Sequence, residues 1–445
     1  MSNLLSIGAS GVRANQAALA VVSENIANAG VTGYSRRTIE TKEIATVSAT
    51  SGATSGHGVF VTGVNRAADQ FKAAAVRTAG ADLARTEAGG VWMDRIQSAL
   101  TGSSLDTQLT SFFTAAKAVA ADPTATAPRA AMLEQARSLA ASFTATGAAL
   151  ANATTELDMT ADQAVADLNS LSAALAKVND GLGRAAPGSA GAANLADQRD
   201  SILEKMSALV DVTASYDAAG RATVRAGSGT GTTLVSGNHA AAVSYARNAE
   251  GAVAFAVKNG SDVSILTPNG GALGGVIDGA QRIADARTEL NELAESFVEG
   301  VNAVQGQGQT LDGTTGAPLL AVGAAPTDIT LVMTDPRGIA AASAGEGTRG
   351  NGNLAALEAL RTGKGFEGTL TGMVADNAAA IQARGVVADA QAAIRDGAVA
   401  ARDSISGVDL DSEAVDLLRF QQAYQASSRV ISIARDTFQT LLDIR

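Results

Sequence analysis

The sequence predicts a mainly α-helical protein with an inserted β-rich domain, in which the N- and C-terminal helices form a coiled coil beside an elongated helical bundle. Alanine makes up roughly a fifth of the chain, a composition that favours long and closely packed helices. Aromatic residues account for only 3% of the 445 residues. Both chain ends carry heptad patterns, and short alternating runs interrupt the helical pattern between residues 210 and 272.

Composition excludes several functional classes. The chain has no cysteine, so disulfides and thiolate chemistry are excluded, and its two histidines, His57 and His239, cannot supply a histidine metal cluster. The net charge of -11 disfavours nucleic acid and anionic membranes. No uncharged apolar run approaches the roughly 18 residues that cross a bilayer. We therefore expect no cofactor, no metal ion, no nucleic-acid partner and no membrane insertion.

The first half of the chain is predicted to be largely helical. A first helix over 2–29 ends at Asn28-Ala29-Gly30, where Asn and Gly favour left-handed conformations. Residues 35–64 lack a helical period and contain one strand candidate at 58–62. Further helices are predicted over 66–100, 104–121, 128–182 and 193–209, with an interruption at Gly147 left open.

The pattern changes after residue 209. Strand candidates at 210–213 and 222–225 flank a turn at 217–220, and helix resumes over about 273–304. A Gly-rich connection with a strand candidate at 329–332 follows, and helices close the chain. We expect three domains: a terminal coiled coil (1–45 with 405–445), an elongated helical domain (46–209 with 273–404) and an inserted β-rich domain (210–272, with 311–345 as an optional addition).

The C-terminal heptad series is the strongest signal in the sequence. Its main row repeats every seven residues, and a second row follows it by three: Leu410, Leu417, Tyr424, Ile431 and Phe438, then Phe420, Ala434 and Leu441. Glu413 and Ser427 interrupt the second row with polar side chains. More than four heptads of this spacing predict a coiled-coil face.

The N-terminal helix carries two apolar stripes. The first is the heptad series Leu5, Val12, Leu19 and Ile26, with Gly8, Asn15, Val22 and Ala29 as companions; the second is Leu4, Ile7, Gly11, Ala14, Ala18 and Val21. A helix that is apolar on two sides needs two partners. We predict the C-terminal helix as one partner and a further copy or another protein as the other. The alternative, in which both are core helices of a monomeric bundle, stays open.

No active site is predicted. The Gly227–Gly231 loop lacks the lysine and the strand-to-helix setting of a phosphate loop, which favours a hairpin loop. The acids of 197–200 and 409–411 are interpreted as solvent-facing charges and helix caps. The Arg36-Arg37 pair is interpreted as a solvated contact or interface charge. We therefore predict a structural protein, not an enzyme.

Several segments resemble the flagellar axial proteins, the family of rod, hook and hook-associated proteins. Ser23–Asn28 (SENIAN) followed by Gly33–Arg36 (GYSR) is similar to the N-terminal signature of the whole family. The internal and C-terminal segments are similar to its hook-associated members: Leu109–Ala121 with Asp122-Pro123, Asn194–Leu203 entering Leu209–Val212, Ser406–Asp411, and Leu418–Tyr424.

The resemblance implies a structural subunit of the hook–filament junction, exported by the flagellar type III apparatus without a cleaved signal peptide. It implies self-assembly into a ring of copies, contact with the hook protein and a second hook-associated junction protein, and an extracellular location on the flagellum. A FlgN-type export chaperone would bind the C-terminal helix at Leu417, Phe420, Tyr424, Ile431 and Phe438. The assembly interface would comprise Leu5, Val12, Leu19, Ile26, Leu410, Leu417, Phe420, Tyr424, Ile431, Phe438 and Leu441.

Three other functions compete with the junction role. The first is a hook or filament subunit: rod and hook proteins share the N-terminal signature, but the internal motifs favour the junction protein. An Ala-rich coiled-coil signalling protein would need near-continuous heptads, which the β-rich middle interrupts. A hydrolase carried on a flagellar framework would need a carboxylate pair or histidine site, and no such motif stands out in the sequence.

Overall fold

The computed structural model describes residues 2–44, 56–227, 230–248 and 252–443, excluding the side chains of residues 2, 3, 441 and 442. Helix α1 spans Ser2–Asn28. Strands β1 (Arg37–Glu43) and β2 (Val59–Arg66) then pair in antiparallel register. The strand predicted at 58–62 is confirmed and extends further. The rest of the irregular stretch predicted over 35–64 includes residues 45–55, which lie outside the described residues.

Four helices follow the strand pair: α2 (Gln70–Gly102), α3 (Leu105–Ala121), α4 (Thr126–Arg184) and α5 (Ala190–Leu209). Helix α2 begins four residues later than predicted because β2 continues to Arg66. The carboxylate of Asp69 then caps α2 by accepting the backbone N–H groups of Phe71 and Lys72. Helix α4 runs without interruption through Gly147, where a Cβ atom would collide with Thr327. This glycine permits close packing instead of ending the helix.

The inserted β region forms two antiparallel sheets beside α4. The first contains β3 (Val212–Tyr216), β4 (Ala222–Ala226), β5 (Thr233–Ser236) and β6 (His239–Ala240) in sequence order; the second contains β7 (Ala242–Arg247), β8 (Val253–Asn259) and β9 (Asp262–Leu266). Asn179 of α4 exchanges two hydrogen bonds with the backbone of Ala222, and Asn169 does the same with Val243. These two asparagines attach both sheets to α4.

The second half returns to helices. Helix α6 (Gly271–Gln307) is followed by the short strands β10 (Gly308–Gln309), β11 (Leu320–Val322), β12 (Ile329–Leu331) and β13 (Ala342–Ser343), and then by α7 (Gly352–Lys364), α8 (Phe366–Ser406) and α9 (Leu410–Asp443). The strand predicted near Ile329 is confirmed. Within the described residues, the mainly α-helical fold with an inserted β-rich region and paired terminal helices is confirmed.

The bundle core is built around aromatic rings. Phe112, Phe113, Phe143, Phe297 and Phe366 are all at most 1% exposed. Their ring centroids lie 5.2 to 6.2 Å apart, mostly edge to face. These five phenylalanines come from four different helices, so a chain poor in aromatic residues concentrates half of its phenylalanines at one level of the bundle.

Candidate assembly interface

Helices α1 and α9 pack side by side in opposite directions. The side-chain amide of Asn15 donates to Ser427 Oγ at 3.3 Å, and that of Asn25 donates to Glu413 Oε2 at 3.0 Å. A Cβ atom on Gly8 would lie 2.8 Å from Ile431 Cγ1, and one on Gly11 would lie equally close to Ser427 Oγ. Glycine therefore lets the two helices approach more closely than larger residues would allow.

The contact line on α9 follows the predicted heptad rows and includes their two polar positions. Glu413 is only 1% exposed and Ser427 contacts α1, so the two residues interpreted as interruptions lie at the contact itself. Leu410 and Phe438 are 53% and 56% exposed. Of the remaining predicted residues of α9, Ala434 is buried, Tyr424 is 37% exposed, and Leu417, Phe420 and Ile431 are half-buried. The side chain of Leu441 lies outside the described residues.

Part of the second apolar stripe of α1 lies beside the strand pair of the same chain, since a Cβ atom on Gly58 would lie 3.3 Å from Ile7 Cα. The backbone N–H of Val59 donates to Ser10 Oγ at 3.2 Å, and a Cβ atom on Gly58 would collide with Ser10. Ala14 and Val21, which share the Ile7 face by heptad spacing, are buried. The strand pair therefore covers only part of this stripe; Leu4 and Ile7 of the same stripe are exposed, and a further copy or another protein as their partner stays a prediction. Of the first stripe, Leu5 is exposed, and Val12, Leu19 and Ile26 are half-buried.

Asn25 lies where the C-terminal end of α1 meets the start of α9. It is fully buried; its amide also donates to the Arg37 carbonyl at 2.9 Å, and its Oδ1 accepts from the Arg37 N–H at 3.0 Å and the Tyr34 hydroxyl at 2.8 Å. Arg36 Nε donates to Glu413 Oε1 at 2.6 Å. One asparagine thus links α1, the turn that follows it and the start of α9.

Arg37 connects this helix pair to the bundle. Its side chain is 1% exposed, and its guanidinium donates to Glu24 at 2.7 Å, Asp197 at 2.8 Å and Asn194 at 2.6 Å. It also lies 4.8 Å from the Tyr34 ring centroid. The interpretation of Arg37 as a solvated charge is wrong, because α5 supplies acceptors that the local sequence around Arg37 does not show.

The acidic run of α5 faces two arginines. Arg66 donates to Asp197 and Asp200, each at 2.6 Å, so both carboxylates are largely buried in ion pairs. The interpretation of these two acids as solvent-facing charges is therefore wrong. Burial lowers the pKa of Arg66, but Asp200 and Asp197 outweigh that effect and raise it. Burial raises the pKa of Tyr34 to about 12, although the charge of Arg37 opposes the increase.

The cap prediction at the start of α9 is confirmed for Asp409. Its carboxylate accepts the backbone N–H groups of Asp411 and Ser412. The carbonyl of Ser406 accepts the Arg36 N–H at 2.8 Å, so the α8–α9 connection is tied to the turn after α1. In the predicted Gly227–Gly231 loop, residues 228 and 229 lie outside the described residues.

A cleft of about 910 Å³ lies between the turn at 28–35, the start of α2, α5 and the end of α8. Its charged lining residues are engaged with neighbours, for example Arg402 with Glu204 at 2.5 Å. The described part of the chain contains no group of His, Cys, Asp or Glu side chains arranged to hold a metal ion. Within the same part, no helix is long and apolar enough to span a membrane.

The decisive comparison concerns the middle of the chain. Residues 92–320, just over half of the sequence, match the family described as flagellar hook-associated protein FlgK helical domain. The chain belongs to the FlgK family. Two further matches cover the terminal helices: residues 5–34 match flagella basal body rod protein, and residues 400–444 match flagellar basal body rod FlgEFG protein C-terminal. The resemblance to flagellar axial proteins is confirmed, and the FlgK family is one of flagellar structural proteins.

Individual relatives agree with this assignment. The chain is 31% identical over 336 residues to flagellar hook-associated protein 1 of Salmonella typhimurium and 30% identical to that of Escherichia coli K12. These alignments cover 73% of this chain and 60% of each relative, so the chain spans about three fifths of their length. The Bacillus subtilis protein of the same name is 23% identical over 97% of this chain and 96% of its own length.

A solved structure shows the same fold. The flagellar hook junction protein FlgK from Burkholderia pseudomallei aligns with a TM-score of 0.50 and 24% identity. The alignment covers 56% of this chain and 46% of that one.

The polar cluster around Asn25 and Arg37 draws on two of the segments that carried the resemblance and on a residue near a third. Asn25, Tyr34 and Arg36 belong to the N-terminal signature, Asn194 and Asp197 to the α5 segment, and Glu413 lies two residues after Ser406–Asp411. The sequence carried one signal of this cluster, namely polar residues placed inside apolar heptad rows. Their partners come from segments up to 388 positions apart in the chain, which spacing along one helix cannot show.

Proposed function

We propose that this chain is a structural subunit of the bacterial flagellum at the junction between hook and filament. The observation that carries the proposal is the antiparallel α1–α9 pair, which is tied to a bundle of the FlgK family by Arg37. Segments matching rod and hook proteins coincide with this pair, which supports assembly into the same axial structure. The competing role, a hook or filament subunit, predicts a different position along the flagellum.

The position on isolated flagella tests the proposal. An epitope tag inserted after Gly260, in the exposed turn between β8 and β9, leaves both terminal helices unaltered. We expect immunogold label only at the tip of the hook in cells that make this chain. Label along the filament or along the whole hook would contradict the junction role. Untagged cells provide the background.

We propose that copies assemble through the side chains that the α1–α9 pair leaves accessible. Leu5, Leu410, Tyr424 and Phe438 are exposed on one monomer, and burying large apolar side chains drives association. With the half-buried members of the same series, they form the predicted interface for a ring of copies, the hook protein and a second junction protein. We also propose that the chain divides into the terminal, helical and β-rich domains that the sequence predicts.

We propose that a FlgN-type chaperone covers α9 before export through the type III apparatus. Leu417, Phe420, Tyr424, Ile431 and Phe438 form the expected helix-in-groove surface. Because Ile431 packs against Gly8, chaperone binding and α1 pairing should exclude each other. The cysteine-free chain suits passage in an unfolded state to an extracellular position, and we propose a purely structural role without catalysis.

Chaperone binding can be measured by calorimetry with the full chain. Tyr424→Ala and Phe438→Ala should each weaken binding by about 1 kcal/mol or more, as losses of anchor side chains do. Ile433→Ala is the matched control, because Ile433 is exposed on the opposite face of α9. Equal affinities for all three variants would contradict the proposed surface.

A further inference from the structure

Apolar contacts alone do not fix how far α1 and α9 slide along each other. Both helices repeat their apolar residues every seven positions. If α9 shifts by seven residues, the neighbour of Gly11 changes from Ser427 to Ala434, and both neighbours are small. At Gly11, the close helix contact would therefore fit either alignment.

The buried polar residues do distinguish the two alignments. In the observed one, Glu413 accepts hydrogen bonds from Asn25 and Arg36. A shift by seven residues would bring Phe420 to the level of Asn25 and would remove Glu413 from Arg36. The fully buried amide of Asn25 would then lose its carboxylate acceptor, and an unpaired buried polar group is strongly unfavourable.

We propose that Asn25, Arg36 and Glu413 set the register of the terminal helices. Their role is to specify one alignment, which a buried polar contact within an apolar helix seam does well. A seven-residue shift would move α9 by about 10 Å along α1, since each helical residue rises about 1.5 Å. Register would thereby fix where the exposed apolar side chains of α9 lie relative to the bundle. The proposal concerns pairing within the chain and does not depend on the junction role.

Engineered disulfides can report the register, because the chain has no cysteine of its own. Gly11→Cys with Ser427→Cys reports the observed alignment, since the Cβ atoms would be 3.4 Å apart, close to disulfide geometry. Gly11→Cys with Ala434→Cys reports the shifted alignment, with Ser427→Ala to make room for the thiol. We expect only the first pair to oxidise readily.

The decisive variant replaces the polar contact by an apolar one of similar size. Asn25→Leu with Glu413→Leu should raise the yield of the shifted disulfide at least about tenfold, because the shift then separates no Asn25–Glu413 hydrogen bond. The Arg37 backbone and the Tyr34 hydroxyl lose Asn25 equally in both alignments. Asp416→Leu is the matched control; Asp416 also faces Arg36, at 3.4 Å, but is partly exposed. It should leave both yields unchanged.

An unchanged yield of the shifted disulfide in the double variant, with normal helix content by circular dichroism, would overturn the proposal. If the double variant loses helix content, Asn25→Ala supplies the test, since it removes the amide and keeps the Arg36–Glu413 pair. It should raise the shifted yield about threefold, an intermediate effect. The same yield as the parent chain would again overturn the proposal.

Discussion

The aromatic core of the bundle and the terminal helix pair are stabilised in different ways. In the core, five phenylalanine rings from four helices exclude water almost completely. Between α1 and α9, glycine, serine and asparagine make the closest contacts, while Leu410 and Phe438 stay exposed. Apolar burial stabilises the first region by itself. The second depends on a few buried hydrogen bonds and ion pairs. A single charge change should therefore affect the stability of the two regions differently.

The largest effect is expected in the core. Phe297 touches four other phenylalanine rings, so Phe297→Ala should lower the free energy of unfolding by about 3–5 kcal/mol. Chemical denaturation followed by circular dichroism measures this change. Phe71→Ala makes the same substitution at a side chain that is 77% exposed, and it should change the free energy of unfolding little. Equal effects would show that the aromatic cluster does not dominate bundle stability.

The next effect concerns the connection between the two regions. Arg37→Met leaves Asp197 and Glu24 without a shared cation, which should destabilise the terminal pair by about 3 kcal/mol, less than a fully buried pair can lose because Glu24 is partly exposed. Hydrogen exchange should increase in α1 and the strand pair but not in α3 or α6. Arg13→Met removes an exposed arginine from the same helix as a control. Uniform exchange across both regions would contradict the comparison.

A charge within the helix pair should act on assembly more than on the bundle. Ile431→Asp places a carboxylate against Gly8, and Leu417→Asp places one at a half-buried position two heptads earlier on α9. Each should cost about 2 kcal/mol or more in the assembled state. Attachment to the hook should be lost, while the bundle keeps its melting temperature. Gln425→Asp adds the same charge at an exposed position and should assemble normally. A large fall in the bundle melting temperature would instead make α9 part of the monomer core.

The smallest effect is a pH dependence. Burial raises the pKa of Tyr34 to about 12, from an ordinary value of 10.0. Because the folded pKa is the higher one, the stabilising contribution of Tyr34 is complete below pH 10 and is lost as the pH rises towards 12. In a pH titration followed by the ultraviolet absorbance of tyrosinate, Tyr34→Phe should have one fewer tyrosine with a raised pKa than the parent chain. Tyr245, whose pKa is also raised to about 12 by burial, should remain late as an internal control.

The sequence determined the elements and their order. Helix periodicity, Pro and Gly breaks and alternating runs depend on neighbours within a few positions, so the helices, the strands after residue 209 and the Asp409 cap were predictable. Gly147 shows the limit of such reasoning. Whether a glycine ends a helix or admits a close neighbour depends on Thr327, which lies 180 positions further along the chain.

Only the tertiary structure decided which faces meet. The heptad rows of α9 predicted the seam, with Glu413 and Ser427 as interruptions, but not that these two polar residues would make hydrogen bonds to α1. Likewise, the sequence shows Arg37 only as part of a basic pair. In the structure, Arg37 is buried and forms an ion pair with Asp197 of α5. Spacing along one chain segment gives the side chains that share a face. Whether a polar residue of a helix packs against another segment depends on partners that folding brings from distant parts of the chain. A buried polar group is stable only where such partners form hydrogen bonds with it.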